Sequence, residues 1–249
     1  MAELIKKEKL LFGLPIDLKE FGVVYQPRLY DFLEFDYTSF KTVFSIKKET
    51  LSFLDENMEG YDELEDFDFI FMLNLSGILC KALSLLYKTD NIKIDYKYNN
   101  IESAKIVINT NNETYCIDRK SYTKFADLIL IMLHEGNNIK NEEVKKDLDE
   151  VELEILKRKK AFEKKKAQRE AELRKQSNEE PTTIFDMANY IIHNDNKYDY
   201  ESVLNLTVYQ LINSFKLYNL KENYQHFMDC KTSGNFKIEN DIAHWFFGK

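Results

Sequence analysis

Hydrophobic positions along this chain change period several times, and each change marks a new element. From Pro27 to Phe53 they recur as Leu29, Phe32, Leu33 and then Phe40, Val43, Phe44. That three-and-four spacing predicts two short amphipathic helices. Upstream, residues 14–25 read as a short extended segment leading to Pro27. Phe67, Ile70, Phe71, Asn74, Leu75, Ile78, Leu79, Ala82 and Leu86 then trace one broad apolar face. They predict a buried helix with Asp66 as its cap. The period next shortens to two. Ile92, Ile94, Tyr96 and Tyr98 alternate with Lys93, Asp95 and Lys97, the pattern of a half-buried strand. Lys105–Asn109 and Thr114–Asp118 are two further β-rich runs, joined by a hairpin loop over Asn109–Glu113. Ser121 caps a last helix carrying Phe125, Leu128, Ile129, Met132 and Leu133, with Gly136 as its stop.

Periodicity is lost over residues 141–180. The stretch 141–176 holds neither Gly nor Pro and is rich in Glu, Lys, Arg, Ala and Leu. Its apolar positions Val151, Ile155, Phe162 and Leu173 are too sparse for heptads, which predicts a solvated helical linker. The basic block Lys157–Lys160 with Lys164–Lys166 is interleaved with glutamates and lacks stacking aromatics, so a solvated face is favoured over nucleic-acid binding. Gln176–Pro181 forms a hinge. Beyond it, Thr183-Ile-Phe-Asp186 resembles a capping box, and Ile184, Met187, Ala188, Ile191 and Ile192 share a helix face. A second helix, starting near Asn205, carries Leu206, Tyr209, Leu211, Ile212, Phe215 and Tyr218. A third runs through Tyr224, Phe227 and Met228 to about Cys230, before Gly234 and an aromatic tail of His244, Trp245, Phe246 and Phe247.

The fold class expected is therefore α+β. A mostly helical N-terminal domain with a small antiparallel three-stranded sheet (1–140) is followed by a long charged helical linker (141–180) and a C-terminal three-helix interaction module (181–249). Composition agrees. Seven Gly and three Pro in 249 residues favour long helices over a turn-rich sandwich, and 14% aromatic content argues against disorder despite 31% charge. A net charge of -8 disfavours generic binding to nucleic acid or to an anionic membrane.

Phe67–Leu86, the most apolar stretch, includes Asp68, Asn74, Ser76, Lys81 and Ser84, too polar to span a bilayer. The N-terminal residues lack a secretory signal pattern. Three widely spaced cysteines disfavour a disulfide framework, and Cys80 reads as a small buried hydrophobe. A reducing cytosol is the expected setting.

No reactive chemistry stands out. There is no Gly-x-Ser-x-Gly elbow, Walker A loop or Gly-x-Gly-x-x-Gly turn. The acidic run Asp55, Glu56, Glu59, Asp62, Glu63, Glu65 and Asp66 lacks the ligand spacing and central Gly of a calcium loop, so it reads as a solvated loop. The four histidines (134, 193, 226 and 244) show no i,i+4 partner and no clustered Cys, which disfavours zinc. No cofactor, metal or catalytic residue is expected. The expected partner-binding residues are Tyr209, Phe215, His244, Trp245, Phe246 and Phe247, because aromatic clusters this apolar need burial, on the chain's own core or in a partner.

Three passages carry a resemblance: Arg28–Phe40; Ile117-Asp-Arg-Lys-Ser-Tyr-Thr-Lys-Phe-Ala-Asp-Leu-Ile-Leu130; and Leu204-Asn-Leu-Thr-Val-Tyr-Gln-Leu-Ile-Asn-Ser-Phe215 with Gly234, Ile238 and His244-Trp245. They resemble proteins from the structural gene clusters of tailed phages of low-GC bacteria. The resemblance implies a tail-assembly chaperone, or a minor tail or baseplate component. Such a protein is non-enzymatic and acts on other phage structural proteins (tape measure or tail tube). It works in the host cytoplasm or in the virion, with no nucleic-acid or membrane partner and with room for oligomerisation. A regulatory binding module, or a metal-dependent nuclease-like enzyme, is the alternative.

Overall fold

A computed structural model describes residues 5–48, 51, 63–96, 101–111, 113–134 and 182–233. Among them are seven α-helices and two antiparallel sheets, an α+β arrangement with a C-terminal helical module. Helix α1 (Lys7–Leu11) leads into the two-residue strands β1 (Ile16–Asp17) and β2 (Val23–Val24), where an extended segment was expected. Ile16 pairs with Val24, and the Leu18 N–H donates to the Gly22 carbonyl at 2.8 Å. Gly22 holds a φ of +79°, and a Cβ built there would lie 2.3 Å from the Tyr115 ring. Only glycine fits both constraints.

The first expected amphipathic helix is a 3-10 turn over Leu29–Phe32, and the second is α2 (Tyr37–Ser45). Asp36 starts α2 in an extended conformation and accepts from the Ser39 N–H at 2.6 Å, which satisfies one orphan donor of the first turn. Phe40, Val43 and Phe44 on its inner face are fully buried. The rings then form an edge-to-face chain: Phe32 to Phe40 at 5.2 Å, Phe40 to Phe44 at 5.4 Å, Phe44 to Phe125 at 6.1 Å and Phe125 to Phe21 at 5.4 Å.

The broad apolar run after Glu65 is two helices rather than one. Helix α3 (Asp66–Met72) ends at Asn74, whose φ is +56°. The Asn74 N–H donates to Phe71 at 3.0 Å and the Leu75 N–H to Ile70 at 2.7 Å, the paired bonds of a Schellman ending. Chain direction changes there, and α4 (Ser76–Tyr87) begins. The cap of α3 is Glu65, not Asp66: the Asp68 carboxylate accepts the Glu65 N–H at 2.9 Å.

Strands β3 (Ile92–Asp95), β4 (Lys105–Asn109) and β5 (Thr114–Asp118) form an antiparallel sheet in that order, with Ile94 opposite Ile106 and Ile106 opposite Ile117. Ile106, Ile108 and Ile117 are buried, while Lys93, Asp95, Lys105 and Cys116 face out. The expected hairpin closes through the Thr110 N–H to the Glu113 carbonyl at 2.9 Å. Helix α5 (Tyr122–Met132) follows with Ser121 as N-cap. It stops before the expected Gly136, which lies outside the described residues. His134 takes the left-handed position instead, with φ +61° and its N–H on Ile131 at 3.1 Å.

The C-terminal residues add α6 (Ile184–Asn194), a 3-10 turn (Ser202–Asn205) and α7 (Val208–Ser233). Where two helices were expected there is one of 26 residues, because Ser214 to Tyr224 contain no breaker. Thr207 and Gln210 form a reciprocal cap: the Thr207 N–H donates to Gln210 Oε1 at 2.9 Å and the Gln210 N–H to Thr207 Oγ1 at 3.2 Å. Ile184, Ala188 and Ile191 pack with Val208, Leu211 and Ile212 in the same hydrophobic core as the aromatic chain.

Backbone bonds tie this part to the N-terminal part. The Leu29 N–H donates to Leu206 at 2.9 Å and the Val208 N–H to Pro27 at 3.0 Å. Arg28 bridges Thr207, and Gln210 Nε2 donates to the Leu11 carbonyl at 2.8 Å. The described residues on both sides of the charged stretch thus belong to one compact unit. The expected linker itself lies outside the described residues.

Candidate interaction surface

Of the six residues expected to meet a partner, two are described. Tyr209 lies in the first turn of α7, is 6% exposed and stacks on the His134 ring at 4.8 Å. Burial pushes its phenol above the ordinary range. The ring thus packs on the chain's own core, joining α7 to the end of α5. Phe215, two turns on, is half-buried and meets Tyr190 of α6 edge-on at 5.2 Å. His244, Trp245, Phe246 and Phe247 lie outside the described residues.

The α6–α7 pair has a polar clasp as well. The Tyr218 hydroxyl donates to an Asp195 carboxylate oxygen just past the end of α6. Burial first, and Asp195 second, push the Tyr218 phenol up to about 12, while the same hydrogen bond lowers Asp195. Past this clasp α7 becomes more exposed. Leu217 is 45% exposed and Leu220 41%, one helical step apart. Beside them a recess of about 280 Å³ is lined by Ser214, Leu217, Tyr218 and Lys221. Leu217 and Leu220 are the exposed apolar residues on this helix that the sequence reading missed. The signal was available, since they sit at i and i+3 opposite charged neighbours.

Two of the described acidic residues, Asp68 and Asp66, are used structurally. The Asp68 carboxylate, 1% exposed, accepts the Arg119 Nε–H at 2.9 Å and 3.0 Å on its two oxygens. Arg119 also donates to the Glu63 carbonyl. Asp66 accepts the Lys48 N–H at 2.9 Å and the Thr123 hydroxyl at 2.9 Å, and Lys47 bridges it to Asp127 at 3.3 Å and 2.9 Å. Each carboxylate is filled from inside the protein, which leaves little for a cation. Asp55, Glu56, Glu59 and Asp62 lie outside the described residues.

One ligand-type pair escaped the sequence reading: Cys230 is four residues after His226, and its sulfur sits 3.8 Å from Nε2. Two donors fall short of a tetrahedral set. Among the described residues no group of three or more His, Cys, Asp or Glu is placed to hold a metal. Cys80, expected buried, is half-buried, and all three cysteines are free thiols. No described helix is long and apolar enough to cross a membrane.

Comparison with known families adds one finding. Residues 174–247 match the family model of the YomV second domain, a domain of phage type. The match spans well under half of the chain. It covers α6, α7 and the polar clasp between them. No curated protein and no solved structure matches the chain. The C-terminal helical part is therefore similar to a phage-type domain.

Proposed function

We propose that the chain is a non-enzymatic phage morphogenesis protein, a tail-assembly chaperone or a minor tail or baseplate component acting through protein–protein contacts. The observation that carries this reading is the phage-type match over residues 174–247. It falls on a helix pair whose long member leaves Leu217 and Leu220 exposed beyond the core. Apolar side chains on a helix surface suit transient capture of an apolar segment of another protein, such as a tape-measure or tail-tube protein. Asp68 and Asp66 are engaged in contacts with Arg119 and Lys47, which is in keeping with a structural role for these two carboxylates.

Co-expression with the tail proteins encoded beside its gene, followed by pull-down at moderate salt, tests the reading. Retention of a tape-measure or tube protein, reduced by Leu217→Asp with Leu220→Asp, supports it. No retained tail protein overturns it. Mass spectrometry of purified virions separates the two forms: a chaperone is absent from the particle, and a baseplate component is present.

A further inference from the structure

A second surface is built largely from the N-terminal part. A cleft of about 280 Å³ lies where Tyr25, Gln26, Arg28, Tyr30, Asp31 and Lys88 converge, with Asn205 of the C-terminal part on its wall. We propose that this cleft binds an acidic peptide segment of a partner protein. The proposal deepens the contact-based reading above and rests on it only for the partner's origin.

Charge is the first argument. The chain carries a net charge of -8, yet the cleft gathers Arg28 and Lys88 against Asp31 alone. Asp31 is also divided. One carboxylate oxygen accepts the Arg28 backbone N–H at 2.8 Å, and the other stands 3.7 Å from the Lys88 ammonium, a loose ion pair. Among the described residues the Arg28 guanidinium has no hydrogen bond or ion pair. A positive cleft on an acidic protein selects a carboxylate from elsewhere.

The cleft also has a fixed wall. Gln26 is 6% exposed, and its Nε2 donates to the Lys9 carbonyl at 2.9 Å and the Leu14 carbonyl at 2.8 Å. Those two bonds hold the side chain in place, so this wall is set before any ligand arrives.

The rim is the third argument. Tyr30, 64% exposed, and Tyr25, 41%, line the cleft, and Phe12 and Leu14 are 74% and 49% exposed. Phe12 and Leu14 flank Gly13, which lines the cleft with a φ of +65°. Tyr and Arg around an apolar rim are the residue types that anchor protein contacts. Lys88 takes the left-handed position that ends α4, with φ +52°.

The test uses the full chain and two blocked peptides, acetyl-Phe-Glu-Leu-amide and its Gln counterpart, titrated by amide-resolved NMR. Shift changes confined to the Gln26 side-chain amide, residues 25–31 and Lys88, with the Glu peptide binding about tenfold tighter, support the proposal. Arg28→Ala or Lys88→Ala then removes that preference without changing the melting temperature, and Arg28→Glu with Lys88→Glu transfers it to a Lys peptide. Equal affinity for the Glu and Gln peptides overturns the proposal. So does a shift pattern outside the cleft, or the same pattern with inorganic phosphate or a dT oligonucleotide. The readout needs no tail protein. A failed pull-down with an intact peptide response therefore removes the phage-assembly reading and leaves the cleft standing.

Discussion

Two sets of charged residues in this chain look alike on paper and differ in saturation. Asp68 and Arg119 are 1% and 8% exposed, and two carboxylate oxygens and a backbone carbonyl answer the guanidinium. Arg28, Lys88 and Asp31 sit in an open cleft with one loose ion pair. The first set is closed: both Asp68 oxygens and the Nε and Nη2 edge of Arg119 are engaged inside the protein, which suits it to holding the fold. The second is left open, and openness is what a binding site requires. Saturation, not residue type, separates structure from recognition here.

The closed set predicts the largest effect. Arg119→Ala strands a buried Asp68 carboxylate, and loss of one partner of a buried pair costs about 3–5 kcal/mol. Urea unfolding should show a fall of that size in the unfolding free energy extrapolated to water. Replacing both partners, Arg119→Met with Asp68→Asn, should recover most of the loss, because no charge is then left alone and the amide oxygen can still accept the Glu65 N–H. A double variant as unstable as the single one would show that the pair does more than satisfy itself.

Much of this contrast could be read from sequence only in part. The period-two runs located β3 to β5, and the hairpin at Asn109–Glu113, because strand alternation is local information. Phe40, Val43 and Phe44 were legible for the same reason. The break at Asn74 was not: asparagine in the left-handed region is decided by what α3 and α4 pack against, which no local pattern carries. Nor was the packing of Tyr209 on His134, 75 residues away in the chain by the difference of their numbers. The single helix α7 was misread as two, although Thr207 and Gln210 already spelled its cap. The cleft was invisible, since Tyr25, Arg28, Lys88 and Asn205 meet only through the pairing of residues 27–29 with 206–208. What sequence could state was which residues need partners; the partners came from topology.

Between the closed and open sets lies the clasp of α6 and α7, which sharpens the comparison through pH. Tyr218→Phe removes a hydrogen bond to the Asp195 carboxylate and should cost about 1 kcal/mol. The Tyr218 phenol rises from 10.0 to about 12 in the folded chain. A group whose folded pKa is raised contributes stability that is complete below its unfolded pKa. That contribution is lost as pH climbs from 10 toward about 12. The difference in melting temperature between the parent and Tyr218→Phe should thus shrink above pH 10. A constant difference up to pH 12 would show that the hydroxyl is not engaged.

Asp36 offers a smaller effect with the opposite sign. Its carboxylate is lowered from 3.8 by the Ser39 side chain first and the Ser39 N–H second. A depressed folded pKa contributes stability above 3.8 that disappears as pH falls through the lowered value. Asp36→Ala should cost about 0.5–1 kcal/mol at neutral pH, the ordinary loss of an exposed N-cap. Asp36→Asn should keep the cap and flatten the acid limb of the stability curve. If Asn and Ala behave alike, capping of α2 is not what the carboxylate does.

The smallest expected effect is the one that decides the comparison. Arg28 is exposed, and Lys88 meets Asp31 only at 3.7 Å. Such a contact contributes little, because water screens it and two long side chains must be ordered to make it. Arg28→Ala and Lys88→Ala should each change the unfolding free energy by no more than about 0.5 kcal/mol. Against Arg119→Ala this is a several-fold gap between two arginines of one chain. A destabilisation by Arg28→Ala of the size seen for Arg119→Ala would mean that the cleft is a structural pair like the buried one. Stability unchanged leaves its two cations without a task in the folded chain alone, which is the condition for assigning them to a ligand.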